Sequence, residues 1–156
     1  MGDEDFMRRA LALAEAGLAA GQAPFGAVVV DVDGAVVGEG HNTVAADCDA
    51  SAHGEVVALR DAWRRLGERG RLGSCTLYTS CEPCLMCSAA IVQLGLRRVV
   101  YAARGTEVPG ARRLFNADLT GAAEWAAGRP GWRMPEIRGD LLREEALAVM
   151  ARYDWG

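Results

Sequence analysis

The stretch that most restricts the fold begins at Pro83, which suits the first turn of a helix, runs to about Leu94 and is stopped by Gly95. Its side chains are apolar nearly all round, and a helix without a polar face is expected to be buried. Short strands are expected on either side of it, over Thr76 to Thr79 and over Arg98 to Ala102. The rest of the chain alternates in the same way. Met7, Leu11, Ala14 and Leu18 recur at helical spacing within a helix expected from Asp5 to Ala20, and Gly21 ends that run. Ala27 to Asp31 is a short valine-rich run with the look of a buried strand. Asp33-Gly34 signals a hairpin turn, with Ala35 to Gly38 as the return strand. Residues 42–51 read as a polar loop, and Ala52 to Arg69 as a helix with Val56, Leu59, Trp63 and Leu66 on one face. Further helices are expected from about Asp118 to Ala126 and from Leu141 to Arg152, the last capped by Asp140, with a short edge strand over Met134 to Arg138. No repeat or linker interrupts the 156 residues, so they are read as a single α/β domain, residues 1–156. Its central sheet would carry helices on both faces.

Composition narrows the classes of function. Hydrophobic residues make up 51% and charged residues 24%, an ordinary globular balance, and no stretch suits a membrane span. The acidic N-terminus lacks the basic-then-apolar pattern of a signal peptide, so a cytoplasmic location is expected. A net charge of −4 does not favour a polyanion partner, and Arg60, Arg64, Arg65, Arg69 and Arg71 are read as a solvated helix face. The five cysteines are an odd number, which suits thiols or metal ligands better than disulfides. Cys48 and Cys75 are read as small buried or half-buried fillers.

The remaining cysteines carry the chemistry. Cys84 and Cys87, three apart at a helix start, can converge on one ion, and a helix N-terminus favours their thiolates. His53 begins the preceding helix. One histidine and two cysteines suit zinc, and three protein ligands leave a position for water, as in catalytic sites. A fourth ligand, Cys81 or His41, would instead close the site into a structural one. Cys81 precedes Pro83 at the strand-to-helix turn and need not share the face of the other two sulfurs. Two residues apart on a helix, His53 and Glu55 point about 200° apart. Glu55 is therefore placed to face water and carry protons while His53 holds the metal. A helix-start glutamate can also be no more than a dipole partner.

His53-Gly54-Glu55 followed by Pro83-Cys84-Leu85-Met86-Cys87 resembles the zinc-dependent cytidine and nucleobase deaminase superfamily. Ala23 to Val28, Gly40-His41-Asn42 and Leu77 to Pro83 extend the resemblance to the branch of bacterial guanine deaminases, tRNA adenosine deaminases and fungal-type cytosine deaminases. It covers roughly residues 5–105. The resemblance implies a three-layer α/β/α sandwich around a five-stranded mixed sheet, and a homodimer with active sites near the interface. It also implies hydrolytic loss of ammonia from a small nucleobase or nucleoside, with Zn2+ as cofactor and Glu55 as proton carrier. Asn42 matches the asparagine that binds the base. Phe25 is either a wall of the base pocket or ordinary core packing.

Within that branch the substrate divides the features. Pro24-Phe25-Gly26 looks like guanine deaminases, as does the long tail ending in Tyr153-Asp154-Trp155. Residues 140–156 are expected to form a helix and an aromatic, acidic lid, with Trp155 packing on the core as the plainer alternative. Asn116 or Asp118 is expected where guanine deaminases place a group for the exocyclic amine. Gly54 instead resembles the fungal cytosine deaminases and removes a methyl group beside the substrate. A guanine-type deaminase is the leading expectation, with a cytosine-type or other small-heterocycle enzyme next and tRNA editing third. A zinc-stapled binding protein is the non-enzymatic alternative, and it leaves Glu55 without a purpose.

Overall fold

The computed structural model describes residues 1–67, 72–109, 129–130 and 133–156. Helix α1 (Asp3–Ala19) leads into strand β1 (Gly26–Val30), which turns back as β2 (Val36–His41). The hairpin forms where the Asp33-Gly34 pair predicts it. Gly34 takes φ 81, and the Asp31 carboxylate accepts the N–H groups of Asp33 and Ala35. Next come a four-residue helix α2 (Val44–Asp47), α3 (Gly54–Leu66), β3 (Thr76–Cys81), α4 (Leu85–Leu94) and β4 (Arg98–Ala103). A 3-10 turn (Gly105–Glu107), β5 (Glu136–Arg138) and α5 (Arg143–Met150) complete the order.

The five strands form one mixed sheet in the order β2-β1-β3-β4-β5. β1 runs antiparallel to β2 and β3, while β3, β4 and β5 are parallel. Side chains alternate across the sheet as strand geometry requires. Val28 and Val30 of β1 join Phe6, Met7, Ala10 and Leu11 of α1 and Ala146 and Met150 of α5 on one face. Ala27 and Val29 join Ala58, Leu59 and Ala62 of α3 and Ile91 of α4 on the other. This is the expected three-layer α/β/α sandwich. Close approach of α3 to β2 depends on missing side chains. A Cβ on Gly38 would lie 2.4 Å from the Ala58 carbonyl oxygen, and one on Gly40 would lie 2.6 Å from the Ala58 nitrogen.

Several boundaries differ from expectation. Residues 42–51 are not all loop, because they contain α2. Helix α3 ends at Leu66, where Gly67 takes φ 71 and its N–H closes on the Trp63 carbonyl. Its buried face is Gly54, Glu55, Ala58, Leu59 and Ala62, so small residues meet the sheet and Trp63 is 41% exposed. Helix α4 buries Cys87, Ser88, Ile91 and Val92 but leaves Leu85 and Met86 exposed, so apolar composition did not mean burial all round. Pro83 precedes the cap Cys84 instead of entering the first turn. Asp140 does not cap α5: it has φ 64, its carboxylate pairs with Arg104, and α5 begins three residues later. Cys75 is buried as expected, whereas Cys48 is exposed in the left-handed region at φ 50. The helix expected over 118–126, and Arg69 and Arg71, lie outside the described residues. No helix of the described residues is long and apolar enough to cross a membrane.

Candidate metal centre and active site

The strand register gathers several loops at one end of the sheet. Gly26 pairs with His41, Ala27 with Thr79, and Cys81 with Ala103, so the start of β1 and the ends of β2, β3 and β4 lie together. The buried Ser80 hydroxyl accepts the Gly26 N–H at 3.0 Å and secures this junction. His53 is the N-cap of α3, Cys84 is the N-cap of α4, and Cys87 lies three residues on. Two helix N-termini thus converge on one point, where their partial positive charge favours thiolate.

The donor atoms fit a zinc ion. His53 Nδ1 lies 3.5 Å from Cys84 Sγ and 3.6 Å from Cys87 Sγ. Tetrahedral zinc with ordinary Zn–N and Zn–S lengths separates such donors by about 3.6 Å. Among the described residues no other histidine, cysteine or carboxylate joins this cluster. Cys81 is buried in the core on the α1 and α5 face, and burial pushes its thiol well above the ordinary range. His41 donates from Nδ1 to the Asn42 carbonyl at 2.9 Å and packs against Gly17 of α1. Neither closes the site.

The electrostatics are those of a preformed thiolate pocket. A hydrogen bond from Cys87, helped by His53 and opposed by burial, holds the Cys84 thiol down at about 4. Cys87 is raised by the same hydrogen bond and by burial, so Cys84 ionises first. The Cys84 thiolate raises His53 in turn. Glu55 is 6% exposed, and burial pushes its carboxyl up to about 7, with a lowering contribution from a Cys87 hydrogen bond. Its burial beside the metal ligands sets Glu55 apart from an exposed helix-start carboxylate.

The family described as "Cytidine and deoxycytidylate deaminase zinc-binding region" matches residues 1–103. The chain belongs to this family. It is a zinc-dependent hydrolytic deaminase, and His53, Cys84 and Cys87 are placed to hold the metal. It is 48% identical over 108 residues to the guanine deaminase of Bacillus subtilis, a match covering 69% of this chain and 68% of that protein. It is 42% identical over 101 residues to the tRNA-specific adenosine deaminase of Haemophilus influenzae, covering 65% of this chain and 58% of that one. A protein solved in complex with 2,6-diaminopurine superposes with a TM-score of 0.80 at 31% identity, over 97% of this chain and 81% of the other.

Of the other candidate residues, Phe25 and Asn42 meet near the start of α3, and Trp155 and Tyr153 follow on Phe25. Asn42 is 7% exposed, donates its N–H to the Phe25 carbonyl at 2.8 Å and accepts the Val44 N–H on Oδ1 at 3.2 Å. The missing methyl of Gly54 faces protein, not an open pocket: a Cβ there would lie 2.8 Å from the Phe25 carbonyl oxygen and 3.4 Å from Gly26 Cα. Phe25, half-buried against the core, meets the Trp155 ring at 5.9 Å, and Trp155 meets Tyr153 edge-on at 4.9 Å. Trp155 also donates its indole N–H to the Met150 carbonyl at 3.1 Å, so its own chain holds it. Asp154 accepts the Gly156 N–H. Asn116 and Asp118 lie outside the described residues. Pattern reading gave no hint of Gly54 against Phe25, of Ser80 at Gly26, or of Arg60 tying Asp49 and Ser51 to α3. These are contacts between distant segments and leave no periodic trace.

Proposed function

We propose that the protein deaminates a free purine base of the guanine type, converting guanine and water to xanthine and ammonia. The observation that carries this reading is the 48% identity to a guanine deaminase over more than two thirds of the chain. Two features support it. The superposition with the diaminopurine-bound protein extends over 97% of the chain. The Phe25–Trp155–Tyr153 cluster, its rings inclined at 56° and 73° to one another, offers aromatic faces for a flat base near the start of the helix that bears Glu55.

Zinc, when bound, supplies the Lewis acid that makes water nucleophilic near neutral pH. Glu55 takes the proton that water gives up, delivers it to the ring nitrogen beside the attacked carbon, and then serves the departing amine, so that ammonia leaves. Asn42 hydrogen-bonds the base and Phe25 forms a wall of its pocket. Tyr153, Asp154 and Trp155 cover the base and exclude water. Contact of Trp155 with Phe25 of the same chain supports a tail that serves its own site.

A homodimer belongs to the same proposal. Val56, Leu59, Arg60 and Trp63 of α3 and Ala90 and Leu94 of α4 line an apolar groove of about 250 Å³, and α4 also exposes Leu85 and Met86. A second copy would cover this face, and sedimentation of the wild type against Trp63→Arg tests it.

Ammonia release over purines, pyrimidines, their nucleosides and a tRNA anticodon stem tests the substrate. Guanine should be turned over fastest. A preference for cytosine would overturn the purine reading, and turnover of the tRNA would favour the adenosine deaminase relatives, against which the net charge of −4 argues.

A further inference from the structure

The chain enters α5 through a strained turn. Among the described residues three that are not glycine have positive φ, and two of them, Asp140 at 64 and Leu142 at 56, stand in this turn. Such residues occupy the left-handed region where surrounding contacts impose it. A glycine stands next to them but does not take the rotation. Gly139 is needed for space, because a Cβ there would lie 2.5 Å from the Tyr101 ring.

Two arginines hold the turn. Arg104, which follows β4, grips Asp140 with Nε to Oδ1 at 2.9 Å and a second nitrogen to Oδ2 at 2.7 Å. Arg143, the first residue of α5, grips Glu107 of the 3-10 turn with Nε to Oε2 at 3.0 Å and with a second contact to Oε1. Between these grips the Leu141 N–H donates to the Tyr101 carbonyl at 3.2 Å. Both grips end on segment 104–107, where Glu107 also accepts the Arg104 N–H at 2.9 Å. That segment is tied to the metal loop. Glu82, two residues before Cys84, accepts the Gly105 N–H at 3.0 Å and donates its own N–H to the Ala103 carbonyl at 2.8 Å. A polar line therefore runs from the loop that bears Cys84 to the start of α5, and the residues that follow α5 set Trp155 on Phe25.

We infer that Arg104 and Arg143 are positioning residues, two bidentate grips that hold the strained 140–142 turn and so set the C-terminal tail against Phe25 beside the metal centre. The inference rests on the proposed role of the tail in base binding, and it extends that role to residues that need touch neither base nor metal. Paired planar groups suit the task because a guanidinium–carboxylate fork fixes direction as well as distance.

The test uses the full-length zinc enzyme. Asp140→Asn keeps the size and the tolerance for positive φ while removing the charge, and Arg143→Gln removes the second grip. Hydrogen exchange of the amides from 147 to 155 is measured with zinc content, kcat and KM for the base turned over fastest. In both variants tail amides should exchange about tenfold faster. KM should rise by a factor of about three to ten, with zinc content unchanged and kcat moving much less. Exchanging the charges of the pair, Glu107→Arg with Arg143→Glu, should restore much of the protection. Wild-type exchange rates in both single variants would overturn the inference. A tail that exchanges faster while KM stays constant supports the grips and removes the tail from base binding, so the two readings fail separately.

Discussion

Replacing Gly38 by alanine connects the packing of this fold to its chemistry. The new Cβ would lie 2.4 Å from the Ala58 carbonyl oxygen, 2.6 Å from the Ala62 nitrogen and 2.7 Å from the Ala62 Cβ, while ordinary contact begins at 3.4 Å. The shortfall is about 1 Å, and it falls on helix backbone, which cannot rotate aside as a side-chain tip would. Alanine gains about 0.5–1 kcal/mol over glycine within a strand through the unfolded chain. Overpacking costs about 1–3 kcal/mol, and a clash with helix backbone falls in the upper half of that range, so the net effect is a loss of about 1–2 kcal/mol, or a fall in Tm of about 2–8 °C at this size. The relief available is a shift of α3 away from β2, and α3 carries His53 as its cap and Glu55 in its first turn. A displacement near 1 Å at a catalytic group can cost about 10²-fold in rate. Calorimetry, metal analysis and ammonia release on the same preparation would check the chain of effects. Gly2→Ala, with nothing within 4 Å, serves as the control. An unchanged or raised Tm for Gly38→Ala, with normal turnover, would refute the claim that the glycine sets the helix–sheet distance.

Three further outcomes are expected. Glu55→Gln should keep its zinc and its Tm but lose about 10²–10⁴-fold in rate, because the amide cannot carry the proton; near-normal ammonia release would remove Glu55 from the reaction. Cys84→Ala should lose zinc by metal analysis whereas Cys81→Ala, altered on the opposite face of the sheet, should retain it. Asp3 accepts two hydrogen bonds from Arg98 and others from Tyr78 and Arg138, and these hold its carboxyl at about 2, below its ordinary 3.8. A lowered folded value stabilises the fold above the ordinary pKa and is lost on acidification. Asp3→Asn should therefore cost about 1–2 kcal/mol at pH 7, after discounting for a side chain that is 25% exposed. In urea titrations that difference should shrink between pH 4 and pH 2, and a constant difference would show that the ion pairs contribute nothing.

The metal ligands were legible because their chemistry is local. Cys84 and Cys87 share one helix start, and His53-Gly54-Glu55 stands at another, so residue type and spacing suffice to name zinc and a candidate proton carrier. Hydrophobic period marked α1, β1, β4 and the hairpin for the same reason. The contact faces were less legible. Of the apolar stripe Val56, Leu59, Trp63 and Leu66 only Leu59 is fully buried, and the sheet accepts Ala58 and Ala62 beside it, because Gly38 and Gly40 on β2 leave room there only for small residues. Burial of α4 was overestimated in the same way, since apolar composition does not say whether another layer lies outside.

The sequence by itself determined α1, the β1–β2 hairpin, α3, α4, β4 and the zinc donors at two helix starts, since each of these rests on a local period or a short spacing. Only the tertiary structure decided that Cys81 faces away from the metal and that Gly54 makes room for the Phe25 carbonyl. It alone revealed that Arg104 and Arg143 grip the turn before the tail. Those facts depend on strand register and on which chain segments meet across the sheet, and such meetings are set by packing of the whole core, which no local pattern encodes.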